Sequence, residues 1–105
     1  MKIIVKHFKE LSNIQLYDLL QLREEVFEIE QNCIYPDIDN KDKKAFHLMI
    51  YHDDILIVYA RLLDKGISYE HYCSIGRVCS KLSERKNGIG KRLMKEAILK
   101  CKELF

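Results

Sequence analysis

Between Ser74 and Met94 the chain reads SIGRVCSKLSERKNGIGKRLM: an apolar run, a polar connection, then Arg85-x-x-Gly88-x-Gly90 opening an amphipathic stretch. The start of a helix leaves several backbone N–H groups unpaired and carries partial positive charge. Glycines there remove the side chains that would hold a phosphate away from those amides. The chemistry of such a segment is anion binding. Lys86, Lys91 and Arg92 add formal charge at the same end, where cations otherwise oppose the helix dipole, and their placement suits a pyrophosphate. Two familiar nucleotide loops do not fit. A Walker A loop requires Gly and Ser or Thr where Arg85 and Arg92 stand, and a dinucleotide fingerprint requires Gly or Ala at Leu93. Taken alone, two glycines at a helix start also fit a plain turn and cap.

The elements that must position this segment follow from periodicity. Ile3–Phe8 predicts a short strand. Ser12 with Gln15 three positions on is a capping box opening a helix from about Asn13 to Gln31, with Leu16, Leu19, Leu20, Val26 and Phe27 on one face and Arg23 interrupting them. Residues 32–44 hold the only proline and a dense set of Asp, Asn and Lys; this is loop chemistry, expected to be solvated and too acidic to pack. Phe46–Tyr51 and Ile55–Leu63 read as two strands of an antiparallel hairpin, joined through His52, Asp53 and Asp54. His71–Cys79 predicts a fourth strand, with Gly76 as a bulge or close-approach position. In the last helix Ile89, Leu93, Ala97 and Cys101 recur every four residues on one face. The order β, α, β, β, β, α describes one mixed α+β domain over residues 1–105.

Composition narrows the function classes. The 105 residues are 48% hydrophobic and 32% charged, which excludes a disordered or collagen-like chain. A net charge of +2 and a pI near 8.3 argue against a nucleic-acid binder, whose domain pI usually exceeds about 9. No apolar run approaches the roughly 18 residues needed to span a bilayer, so no membrane role is expected. Cys33, Cys73, Cys79 and Cys101 follow neither a zinc spacing nor a dense disulfide pattern, and reduced thiols in a cytoplasmic protein are expected.

The strand, the RVCS and KLSE segments, RKNGIG and the helix that follows together resemble motif A of the GNAT superfamily of acyl-CoA-dependent N-acyltransferases, whose signature is Arg/Gln-x-x-Gly-x-Gly/Ala. The first half strengthens the likeness. Leu22, Arg23, Val26, Phe27, Glu30, Gln31, Asn32, Cys33, Tyr35, Pro36, Asp37 and Asp39, with Ile75 to Val78, resemble the ElaA-like branch in order and spacing. Lys86, where many relatives carry Gly, and Ile34, where a small residue or proline is frequent, depart from the pattern. The resemblance implies a GNAT-like, mainly antiparallel sheet that stops after the motif A helix. It implies acetyl-CoA as co-substrate, its pyrophosphate cradled by the amides of Arg85, Lys86, Asn87, Gly88, Ile89, Gly90 and Lys91, without a metal. Val78, Cys79 and Ser80 would form the splayed strand end that pairs with the pantetheine arm and offers an N–H to the thioester oxygen.

The acceptor side is less determined. Glu30 is a carboxylate able to bind an incoming ammonium or take its proton; the plainer alternative is an ion pair with Arg23, seven residues earlier on the same helix face. Asp37, Asp39 and Asp42 lack the glycine and terminal acid of a calcium loop and read as solvated, able to attract a cationic amine. His47, His52 and His71 read as surface or strand-edge residues, and Cys79 as packing. Two functional readings stay open: direct acetyl transfer to a primary amine of a small molecule or peptide, or a catalytically incomplete relative that binds CoA or self-associates, for instance as a homodimer, through its sheet edges. The second is motivated by length, since members of the superfamily continue past the motif A helix and Phe105 ends this chain first.

Overall fold

The computed structural model describes residues 1–105. Four strands form one antiparallel sheet in the order β1 (Lys2–His7), β2 (Phe46–His52), β3 (Ile55–Leu63), β4 (Ser74–Ser80), so β4 is an edge. Helix α1 (Asn13–Arg23) connects β1 to β2, and α2 (Ile89–Leu104) follows β4. The mixed α+β fold is the one expected.

Alternation along the strands explains the layering. Leu48 and Ile50 of β2 and Val58, Ala60 and Leu62 of β3 face α2, whose Ile89, Leu93, Ala97 and Cys101 are the buried residues anticipated from their four-residue spacing. The intervening Met49 and Tyr59 face the other way, onto Leu19, Leu22 and Val26. The sheet is therefore sandwiched, and β3 is buried on both faces. The β2–β3 hairpin closes on Asp53 and Asp54, both with positive φ, as a two-residue turn with right-handed strand twist requires. The Ser12–Gln15 capping box forms reciprocally, with Ser12 N donating to Gln15 Oε1 at 3.0 Å and Gln15 N to Ser12 Oγ at 3.1 Å.

Three local expectations change. The helical coil from Asn13 reaches Glu30, but Glu24–Glu30 is wound as a π-helix rather than continuing α1. β4 begins at Ser74 instead of His71. Its irregularity is not at Gly76 but beyond it: Arg61 opposes Gly76 and Tyr59 opposes Cys79, so β4 carries one residue more than β3 between these pairs, and Arg77 takes φ +50. A left-handed conformation in a residue with a long side chain costs about 1–2 kcal/mol and must be held by its surroundings. No helix is long and apolar enough to cross a membrane.

Candidate functional site

Past β4 the chain makes a 3-10 turn (Leu82–Glu84), then a tight turn into α2. Gly88 is the N-cap of α2 with φ +70, a conformation natural to glycine, and it has no side chain to cap the helix. The N–H groups of Lys86, Gly88, Ile89, Gly90 and Lys91 consequently make no hydrogen bond within the chain, and the first to return to the helix is that of Arg92, to Gly88 O. Two members of the expected cradle are turned inward. Arg85 N bonds Leu82 O at 3.5 Å and Asn87 N bonds Glu84 O at 3.4 Å, each closing a three-residue turn back onto the 3-10 segment. A Cβ placed on Gly88 or Gly90 would meet no atom of the surrounding chain within 4 Å, so no other element covers the turn at these two residues. Five outward N–H groups at a positive helix end fit a pyrophosphate by their chemistry.

Beside this turn runs the end of β4. The Ser80–Val58 pair is its last rung, after which Lys81 N still donates to Ile57 O at 2.8 Å. Val78 is 42% exposed, Cys79 is buried, and both line, with Ser80, Arg85 and Gly90, a groove of about 260 Å³. The structure thus brings β4 and the glycine turn together, while the π-helical segment supplies Val26 and the residue after it, Gln31, to the same groove. Burial pushes the Cys79 thiol up to about 12, which keeps it protonated and unsuited to nucleophilic attack.

Glu30 is also at this site, but its partner is not Arg23. Arg85 forks onto it, Nη1 donating to Oε1 and Nη2 to Oε2 (2.6 Å), while Arg85 Nε and Nη2 also donate to Ser80 O at 3.3 and 2.9 Å. The wider π turns carry Glu30 off the face of Arg23 and toward motif A. The fork holds the Glu30 carboxyl below its ordinary range.

Arg23 is instead fully buried. Its Nε donates to Asp37 Oδ2 and its Nη1 to Asp42 Oδ1, both at 2.8 Å. Arg61 Nη1 reaches Asp39 Oδ1 at 2.7 Å and Asp42 Oδ1 at 3.0 Å, and Arg77 lies 3.0 Å from Asp37 Oδ1 and 3.3 Å from Asp39 Oδ2. The expectation of a solvated acidic loop is corrected. Asp37 and Asp42 are buried because three arginines from α1, β3 and β4 converge on them, and no spacing along the chain announces that convergence. His47 is likewise buried, not a surface residue. Its Nε2 donates to Asp42 O (3.0 Å), so its Nδ1 accepts from the Tyr59 hydroxyl (2.6 Å), and burial lowers its pKa. His52 and His71 are exposed as read.

Comparison with known proteins decides the family. No family model matches the chain. A UPF0039 protein of Schizosaccharomyces pombe is 39% identical over 106 residues, covering all of this chain and 69% of the relative. Protein ElaA of Escherichia coli is 41% identical over 97 residues, covering 90% of this chain and 63% of ElaA; its crystal structure superposes with a TM-score of 0.92 over 99% of this chain. The chain belongs to the ElaA-like branch of the GNAT superfamily. An acyl-CoA N-acyltransferase from Pseudomonas aeruginosa matches this GNAT chain equally well in structure, at 40% identity and TM-score 0.92, covering 99% of this chain and 72% of the other. The GNAT chain thus spans between about three fifths and three quarters of the relatives it matches.

Proposed function

We propose that the chain is an acetyl-CoA-dependent N-acetyltransferase that passes an acetyl group directly to a primary amine of a small molecule or peptide. The observation that carries this reading is the row of five unpaired amides around Gly88, set against the groove along β4. The amides of Lys86, Gly88, Ile89, Gly90 and Lys91 would hold the pyrophosphate. The outer edge of Val78, Cys79 and Ser80, unpaired because β4 ends the sheet, would pair with the pantetheine amides, and a β4 N–H would donate to the thioester oxygen. Bound acetyl-CoA supplies the activated acyl carbon, and no covalent acetyl-cysteine is needed, in keeping with the protonated Cys79. Glu30, ionised and 37% exposed, would attract the acceptor's ammonium form; the Arg85 fork makes it a binding charge more than a strong base. Four free thiols fit a reducing cytoplasm.

Calorimetric titration with acetyl-CoA tests the reading. Saturable heat is expected, and neither heat nor thermal shift at millimolar ligand would overturn it. The unpaired edge at β4 supports the alternative of a CoA-binding, self-associating module. Sedimentation as a monomer that acetylates amines would exclude that alternative.

A further inference from the structure

The extra residue in β4 sits where the proposed pantetheine slot begins, and its conformation is costly, so something must hold it. Arg77 has the left-handed φ and points back across the sheet end into the Asp37–Asp39 loop. Its Nη2 donates to Asp37 O at 3.1 Å and to Asp39 Oδ2 at 3.3 Å, its Nε lies 3.0 Å from Asp37 Oδ1, and the Tyr35 ring centroid is 5.4 Å from its guanidinium carbon. The loop cannot yield to Arg77, because Arg23 and Arg61 grip the same loop from α1 and β3. We infer that Arg77 is a positioning residue for the acyl donor: the arginine-clamped Asp37–Asp39 loop pulls β4 out of register through it and fixes how far the strand end splays. The inference rests on the acetyl-CoA reading and adds to it a control on the slot from residues that line neither the slot nor the phosphate turn.

The Arg77 side chain is 19% exposed, and its replacement leaves Asp37 paired with Arg23 and Asp39 with Arg61, so Arg77→Ala is expected to retain the fold. In the free protein, Arg77→Ala is expected to change amide hydrogen-exchange protection at the β4 amides flanking the bulge, in either direction as the strand shifts register or loosens, and to leave it unchanged at Leu93–Cys101 of α2. Unchanged β4 protection overturns the clamp whatever any ligand does. Affinity is then read with two probes, acetyl-CoA and ADP, the second presenting a pyrophosphate without pantetheine. Arg77→Ala should weaken acetyl-CoA about tenfold with ADP unchanged within about twofold, and Arg77→Lys should recover part of the loss. Equal loss of both probes, or loss of neither, overturns a role in the slot. A wild-type chain that binds neither probe defeats the acetyl-CoA reading and, with it, the slot role, whereas the exchange data judge the clamp separately.

Discussion

His47 shows how much one buried ring can report. Its two nitrogens are fixed by opposite demands, since a backbone carbonyl requires a donor at Nε2 and the Tyr59 hydroxyl then donates to Nδ1, leaving no room for a second proton. Protonation would set the imidazolium against a hydroxyl hydrogen and beside the Arg23 and Arg61 charges, in a site from which water is excluded. The folded-state pKa therefore lies below that of the unfolded chain. Above the unfolded pKa of about 6.5 both states are neutral and stability does not respond to this group. Below it the unfolded state takes a proton that the folded state refuses, and stability falls as pH drops toward the folded value. The melting temperature is expected to decline between pH 7 and pH 5 and to decline less in His47→Gln, which retains a donor and an acceptor. Parallel declines in the two proteins would remove His47 as the cause.

At the scale of elements, the turn into α2 separates two glycines that look equivalent in sequence. Gly88 has φ +70 and Gly90 an ordinary helical backbone; a Cβ on either meets nothing in the chain. Gly88→Ala should therefore cost about 1–2 kcal/mol through backbone strain alone and, by tilting the turn, abolish acetyl-CoA binding. Gly90→Ala should instead raise stability by roughly 0.5–1 kcal/mol, because alanine is the better helix former, and leave binding within a few-fold. Thermal melts and titration of the two variants side by side decide the matter, and indistinguishable variants would refute the assignment of the two glycines. The sequence already carried this element: the glycine spacing, the four-residue apolar repeat and the strand before it are local signals, and local signals also marked the β2–β3 hairpin and the Ser12 cap. The π winding of Glu24–Glu30 was not legible, because its residues continue an ordinary helical pattern and carry no local mark of the wider turn. The partner of Glu30 was hidden for the same reason, 55 residues away and reached only through the assembled sheet. So was the burial of Asp37, Asp42 and His47, whose polar residue types announce a surface until three arginines from separate elements are brought to them.

Across the whole molecule those arginines are what ties the two halves of the chain. α1 and the 37–42 loop belong to the first half and β3 and β4 to the second, and Arg23, Arg61 and Arg77 neutralise Asp37, Asp39 and Asp42 where the halves meet. Four of the six charges, Arg23, Asp37, Asp42 and Arg61, are buried, which is expensive; the cluster is tolerable because opposite charges lie within 2.7–3.3 Å of one another, although Asp37 Oδ1, Arg61 Nε and Arg77 Nε make no hydrogen bond. Removing the fully buried member, Arg23, is therefore worse than never having built the cluster, whereas Arg77 stands at its partly exposed rim. Arg23→Met keeps an unbranched apolar stem at a fully buried position, yet it strips Asp42 and Asp37 of their shortest side-chain hydrogen bonds and leaves each buried carboxylate with one arginine in place of two. Such a loss is typically about 3–5 kcal/mol, a large share of the roughly 5–15 kcal/mol that keeps a domain folded. Lys100→Ala breaks an exposed pair with Glu103 and should cost less than about 1 kcal/mol. In urea, Arg23→Met is expected to unfold at a far lower midpoint than Lys100→Ala. Adding Asp42→Asn to Arg23→Met should recover part of the loss, since the second substitution removes the stranded charge. A double variant no more stable than Arg23→Met alone would mean that packing around the arginine, and not its charge, holds the halves together.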